Sequence, residues 1–282
     1  MPAPPPDARS QLARVLDIRP CGADGAILAV EPELHAEPVR ASRFFMLRRE
    51  DGLSPFIPRP YSIYRQFGQR LEFLIKVMGK GSRALVGSRP GDRLRLIGPL
   101  GNGWPTLDGA GPPWVMLAGG VGSAPFPMAV EQALRGMDGV APCPKEKIQV
   151  LFGAANEGQL YDLAAFHELG VPLATATMDG SHGRRGTVLD LLQDAWDEGR
   201  LPQTVRLLAC GPERMLEAVD RLARGRGLEA YLSLETLMGC GVGICNGCPV
   251  PTRPEGALGA WSNAKCCVEG PVFRADDIVL SH

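Results

Sequence analysis

The chain carries eight cysteines in 282 residues, and three of them share one glycine-rich stretch, GCGVGICNGCPV, from Gly239 to Val250. Cys240, Cys245 and Cys248 follow C-x4-C-x2-C, and Cys266 and Cys267 come one long hairpin later. With a fourth, distant Cys this is the spacing of thiolates that hold a plant-type [2Fe–2S] cluster. Glycines at 239, 241, 243 and 247 let such a loop wrap a cluster, and its exposed N–H groups can donate to the sulfurs and tune the potential. Structural zinc also accepts four thiolates. Zinc ribbons usually pair two C-x2-C knuckles, and here only Cys245 and Cys248 form one, so an iron–sulfur cluster is the favoured reading.

Other stretches have the residue types that handle phosphates and flat rings. In LAGGVGSAP, Gly119, Gly120 and Gly122 lie between a hydrophobic strand and a helix, where backbone N–H groups can approach a pyrophosphate. The match to G-x-G-x-x-G is incomplete, because Pro125 takes the place of the last glycine. In ACGPERM, Cys210 and Gly211 end a strand, the position from which α/β sheets address their ligands, although a lone Cys there is more often a buried small hydrophobe. RPYSIYR sets Arg59, Tyr61, Ser62 and Arg65 on one short strand, and VMGKGSRAL sets Gly79, Lys80, Gly81 and Ser82 at the next turn. Together these offer cations, a hydroxyl and glycine N–H donors for a diphosphate, with an aromatic to stack on a ring. Cys21 and Cys143 receive no role.

The elements that must position these groups fall into two patterns. From about Ala13 to Gly98, short β-type runs alternate with turns and no helix intervenes, which predicts a small antiparallel barrel or sandwich. From Trp114 the order becomes strand, glycine loop, helix, four times over, which predicts a parallel sheet covered by helices. A last strand near Glu229 to Leu234 leads into the cysteine loop. The expected division is a disordered tail at 1–10, a barrel domain at 11–108, a nucleotide domain at 109–232 and a cluster module at 233–282. A net charge of −1 offers no electrostatic case for nucleic acid or an anionic membrane. No apolar run approaches the roughly 20 residues of a membrane helix, and MPAPPPDARS is no secretory signal, so a cytoplasmic protein with reduced thiols is expected.

RPYSI, MGKGS, IGPLGNGW, LAGGVGSAP, MDGSHGRRG, ACGPERM, SLETLMGCGVGICNGC and KCCVEGPVF occur in this order along the chain. In them the sequence resembles the electron-transfer subunits of NAD-dependent dihydroorotate dehydrogenases, a branch of the ferredoxin reductase-like flavoproteins. The resemblance implies a β-barrel that binds FAD, a domain that binds NAD(H) and a C-terminal [2Fe–2S] module. Carried over, Arg59, Tyr61 and Ser62 would contact FAD, and Gly79, Lys80, Gly81 and Ser82 its diphosphate. Gly119, Gly120 and Gly122 would face the NAD pyrophosphate, with Cys210 and Gly211 near the nicotinamide. The segment Asp179 to Gly183 is shared with the family without a role that the residues themselves reveal, and His182 within it reads as solvated. Nicotinamide exchanges two electrons at once and a cluster one at a time, so a flavin must stand between them. The resemblance further implies a separate FMN-containing catalytic subunit that oxidises dihydroorotate in pyrimidine biosynthesis, joined with this chain in a heterotetramer. Rival readings are a reductase or diaphorase subunit of another iron–sulfur flavoenzyme, of the sulfhydrogenase, ferredoxin:NADP reductase or ring-oxygenase type, and a zinc-stabilised module without catalysis.

Three finer expectations follow. The fourth cluster ligand is Cys267 rather than Cys266, since the family motif K-x-C-x-[ED]-G-P-V-F laid on KCCVEGPVF selects it and adjacent extended side chains point to opposite sides. NAD is favoured over NADP, because GAANEGQ offers Ala154, Ala155 and Glu157 where a 2′-phosphate would call for arginine, with Arg184 and Arg185 on a later loop as the competing cations. Val242, Ile244, Pro249, Val250 and Trp261 are expected to form an apolar patch around the cluster for a partner.

Overall fold

A computed structural model describes residues 8–51 and 56–280. The first seven residues of the expected tail lie outside that range, and Arg9 and Ser10, assigned to the tail from sequence, already pair with Gly98 and Ile97 as strand residues. The N-terminal sheet comprises β1 (Arg9–Cys21), β2 (Gly25–Pro32), β3 (Phe44–Arg49), β4 (Arg59–Ser62), β5 (Arg65–Phe67), β6 (Arg70–Lys76) and β7 (Arg93–Leu100). Its order is β4-β3-β7-β1-β2-β6-β5, with every pairing antiparallel. β4 and β5 occupy opposite edges, yet only Ile63 and Tyr64 separate them in the chain. The three steps from Ser62 to Arg65 span about 10 Å at most, so the sheet must curl until its edges nearly meet. β7 alternates buried and more open positions, with Leu94 and Leu96 turned into the barrel. One helix, α1 (Lys80–Val86), interrupts the strands where the sequence was read as a plain turn.

The second sheet is built from β8 (Trp114–Gly119), β9 (Ile148–Ala154), β10 (Leu173–Thr177), β11 (Arg184–Arg185), β12 (Arg206–Cys210) and β13 (Ala230–Ser233). The helices α2 (Phe126–Arg135), α3 (Leu163–Leu169), α4 (Val188–Asp197) and α5 (Glu213–Arg226) alternate with them. The strand order is β11-β10-β9-β8-β12-β13, all parallel, and every residue of β8 is buried, as a central strand covered on both faces demands. The order reverses between β8 and β12, whose carboxyl ends are Gly119 and Cys210. Such a switch point opens the crevice in which α/β sheets bind ligands. The cysteine segment adds a small sheet of β14 (Pro249–Pro251) and β15 (Asn263–Lys265), then returns as β16 (Val272–Arg274) to pair antiparallel with β13.

The barrel and the nucleotide domain share one continuous core. Trp104 stacks on Phe126 of α2 at 5.5 Å, an offset pair worth about 0.5–1.5 kcal/mol beyond its buried area. Gln132 of α2 accepts from Ala41 N at 2.9 Å and donates to Val39 O at 2.7 Å.

Candidate functional site

A cleft of about 750 Å³ opens where the three parts of the chain meet. Arg59, Tyr61 and Ser62 of β4 line one wall, with Gly79, Lys80, Gly81 and Ser82 at the start of α1. Val121, Ala124 and Cys210 of the nucleotide domain line the opposite side, and Glu235, Gly239 and Gly247 close it from the cysteine segment. Lys80 and Arg59 are exposed cations on its rim. The Ser82 hydroxyl is engaged inside its own turn, accepting from Met78 N at 2.9 Å and Gly79 N at 3.0 Å and donating to Gly79 O. It therefore shapes the turn, while the N–H groups of Lys80 and Gly81 have no acceptor within the helix. Burial pushes the Tyr61 phenol up to about 12, so the ring meets the cleft uncharged.

The three glycines after β8 differ. A Cβ at Gly122 would stand 2.4 Å from the Cys210 carbonyl oxygen, and one at Gly119 would stand 2.8 Å from Pro212 Cδ and 3.2 Å from Gly211 Cα. These two glycines, with Gly211, let the ends of β8 and β12 approach each other at the switch point. Gly120, at φ +54, has nothing within 4 Å of its Cβ position, so of the three it alone has open space beside it. The chain there forms a short 3-10 turn, Gly120–Ser123, before α2 begins.

Cys210 is buried at the base of the cleft, where burial and, secondly, the Glu235 carboxylate push its thiol up. Glu235 was overlooked in the sequence, although it stands in the SLET run that leads to the cysteines. It opens onto the cleft yet is crowded by its walls; this desolvation raises its carboxyl above the usual value, and Lys76 only partly opposes the rise.

The segment Asp179 to Gly183 now has a structural role. Asp179 accepts from Ser181 N at 2.9 Å and Oγ at 2.7 Å, and Ser181 Oγ accepts from Glu157 N at 2.8 Å, so the loop caps the carboxyl end of β9. His182 is exposed. Arg184 is engaged with Asp194 and Asp190 of α4, which leaves Arg185 as the exposed cation of the pair.

The cysteine loop lies directly on the barrel: a Cβ at Gly241, φ +72, would stand 2.6 Å from Met46 of β3. Its thiols form two groups. Cys248 and Cys267 lie 3.3 Å apart, and Cys240 accepts from Cys245 N at 3.5 Å. Burial raises the Cys240 thiol, but N–H donors from Cys245, Val242 and Ile244 outweigh it and bring it down to about 7. The Cys267 hydrogen bond brings Cys248 down to about 6. Cys266 is fully buried with its thiol toward Leu234 O at 3.7 Å, away from that pair, and burial pushes it up to about 12. Among the described residues no three His, Cys, Asp or Glu side chains converge on one metal-ion position. Two pairs of thiols suit a two-iron cluster held by four cysteines better than a single tetrahedral ion. Space is also present: Cβ positions at Gly239 and Gly247 meet only the Cys245 sulfur, at 3.5 and 3.4 Å.

Asn102, in the loop after β7, clamps the closing segment beside Cys267. Its Nδ2 donates to Glu269 O at 2.8 Å and Val272 O at 2.7 Å, its Oδ1 accepts from Val272 N at 2.9 Å, and its own N–H donates to Gly270 O at 2.6 Å. Of the expected patch, Ile244 and Trp261 are exposed at 80% and 68%, whereas Val250 is buried. Leu237, 91% exposed, was missed and adds to that apolar surface.

A curled antiparallel sheet, a switch-point parallel sheet and a thiol loop around one cleft define an oxidoreductase of the ferredoxin-reductase fold. A solved NADH-dependent reduced ferredoxin-NADP oxidoreductase matches it at TM-score 0.76 and 24% identity, over 95% of this chain and 90% of the other. The ferredoxin reductase of carbazole 1,9a-dioxygenase matches at TM-score 0.64 and 20% identity, over 78% and 67%. Residues 235–279 match the family described as the iron-sulfur cluster binding domain of dihydroorotate dehydrogenase B, and 116–221 match the oxidoreductase NAD-binding domain. The dihydroorotate dehydrogenase B (NAD(+)) electron transfer subunit of Geobacillus thermodenitrificans is 35% identical, over 90% of this chain and 92% of its own. That of Desulforamulus reducens is 32% identical, over 84% and 86%. The chain belongs to the family of dihydroorotate dehydrogenase B electron transfer subunits.

Proposed function

We propose that the chain passes electrons between NAD(H) and a separate catalytic dihydroorotate dehydrogenase subunit, by way of FAD in the cleft and a [2Fe–2S] cluster in the thiol loop. The observation that carries this reading is the single cleft, whose lining comes from barrel, nucleotide domain and cysteine segment together. A flavin held there would supply the chemistry that links a two-electron carrier to a one-electron carrier. Arg59 and Lys80 supply charge for the diphosphate, Tyr61 and Ser62 line the ring end, and the turn of Gly79, Gly81 and Ser82 shapes its bed. Gly120, with open space beside it, would admit the NAD pyrophosphate, Gly119, Gly122 and Gly211 bring the two strand ends together, and Cys210, which lines the cleft, would stand near the nicotinamide. Cys240 with Cys245 and Cys248 with Cys267 supply the four thiolates. The division into barrel, nucleotide domain and cluster module follows the breaks near 108 and 232.

Leu237, Ile244 and Trp261 form the face presented to the FMN-containing partner in a heterotetramer. Eight free cysteines, and no described helix long and apolar enough to cross a membrane, support a cytoplasmic setting. The test is direct. The purified chain should show flavin and iron–sulfur absorption, reduce dyes with NADH in preference to NADPH and leave dihydroorotate untouched; with the catalytic subunit it should reduce NAD+ with dihydroorotate. A colourless protein, or dihydroorotate oxidation by the chain alone, overturns the reading. The NADH preference rests on Glu157 and Asp179, joined through Ser181 beyond the carboxyl end of β9, and on the engagement of Arg184, and an NADPH preference defeats that part.

A further inference from the structure

Between the barrel and the nucleotide domain, beside the cleft, two tyrosines are fully buried. Tyr64, at the barrel corner between β4 and β5, donates its hydroxyl to Asp162 Oδ2 at 2.7 Å, across the domain boundary. Tyr161, its counterpart in the nucleotide domain, donates to Asp24 in the β1–β2 hairpin. The exchange is reciprocal: each domain gives one phenol and one carboxylate, and Tyr161 and Asp162 are adjacent in the chain. Barrel cations complete both pairs, Arg19 at 2.7 Å from Asp162 and Lys76 at 3.6 Å from Asp24.

The backbone is shaped for this contact. Ala23 N donates to Gly158 O at 2.7 Å, and Cβ atoms at Gly22 and Gly25 would stand 2.7 and 2.9 Å from the Tyr161 ring. Asp162 itself sits at φ +51, a left-handed conformation that non-glycine residues adopt when their surroundings hold them there. Burial raises the Asp162 carboxyl, but its bonds to Arg19 and Tyr64 outweigh this and keep it low, while burial keeps both phenols protonated. Behind the pairs lies a small apolar cluster that includes Cys21, Leu74 and Ala124, with Val121 packed on it. Leu74, Val121 and Ala124 also wall the cleft.

We propose that Tyr64–Asp162 and Tyr161–Asp24 form a reciprocal latch that fixes the nucleotide domain on the barrel and thereby sets the gap across which nicotinamide and flavin meet. These are positioning residues, acting through the wall formed by Leu74, Val121 and Ala124. Misplacement of reacting centres by about 1 Å costs up to about a hundredfold in rate, so a modest slackening of the latch is measurable. The role rests on the reading that the cleft holds FAD, and the test separates the two.

The Tyr64→Phe/Tyr161→Phe variant keeps both rings and removes only the hydroxyls. In the purified holoprotein, flavin and cluster absorption should equal those of the unaltered chain, and NADH affinity should stay within about threefold. Hydride transfer from NADH, followed by stopped-flow bleaching of the flavin, should slow by about tenfold or more, with a weaker long-wavelength charge-transfer band. Asp162→Asn alone, which keeps an oxygen to accept from Tyr64 and loses the charge that faces Arg19, should retain most of the rate. A rate and band equal to those of the unaltered protein, with flavin bound, overturn the latch even if thermal stability falls. Should the double variant be insoluble, Tyr64→Phe alone decides between the same two outcomes. An unaltered protein without flavin overturns the reading of the cleft, and this role with it.

Discussion

In the loop after β8, a Cβ at Gly122 would strike the backbone carbonyl of Cys210 at 2.4 Å; in the cysteine loop, Cβ atoms at Gly239 and Gly247 would meet only a thiol, at 3.5 and 3.4 Å. Both loops are rich in glycine, and both were read as wrapping a ligand. In the first, glycine mainly serves two backbones that must come close at the switch point, and only Gly120 remains open. In the second, the chemistry lies in sulfur, and glycine supplies space at 239 and 247, while Gly241 and Gly243 make left-handed turns pressed against Met46 and Val268. Glycine alone therefore does not tell a packing constraint from a binding loop. What stands opposite the missing side chain does.

The sharpest test of this contrast lies in the thiol loop. Cys267→Ser should abolish the cluster absorption and the matching iron content, while Cys266→Ser, whose thiol faces Leu234, should retain both. The reverse pattern breaks the assignment. The next largest effect belongs to the packing loop: Gly122→Ala should cost about 3 kcal/mol, the upper range for overpacking against rigid backbone, whereas Gly239→Ala should stay within about 0.5 kcal/mol. Urea unfolding of the two variants measures the difference, and equal losses would dissolve the contrast. Asn102→Ala should follow at about 2 kcal/mol, since it strips a partner from the part-buried carbonyls at 269 and 272 and from the Val272 N–H. Iron release under chelator should quicken at the same time, and unchanged release would show that the clamp does not hold the cluster module. Gly120→Ala should cost less than Asn102→Ala, about 1 kcal/mol of left-handed backbone strain. Its loss should appear in NADH affinity as well as in stability.

The cysteine spacing carried the thiol loop without help from the fold, because ligand identity and separation along the chain are local properties. The change of fold pattern along the chain was legible for the same reason, as antiparallel strand alternation gives way to strands alternating with amphipathic helices. Other features depended on contacts distant in sequence. Ser82 reads as a phosphate hydroxyl until its turn is seen to occupy it. Val250 reads as a surface apolar residue until β14 buries it, and nothing local marks Leu237 as a residue that projects outward. Glu235 lacks a local motif of its own; its meaning comes from Cys210 and Lys76, which only the fold brings near. Asn102 bonds residues more than a hundred positions away, a partnership no window of sequence contains.

The antiparallel pairing of β16 with β13 also bears on how the protein is made. Ser233 finds its partner in Val272, and the whole cysteine loop is synthesised between them. At ribosomal rates of about 5–20 residues per second, Ala230–Ser233 therefore waits for seconds as a bare edge strand, the kind of template on which chains aggregate. A transcript cut short inside the cysteine loop would thus yield a nascent chain with a sticky edge, cleared by proteases, rather than a serviceable reductase lacking only its metal.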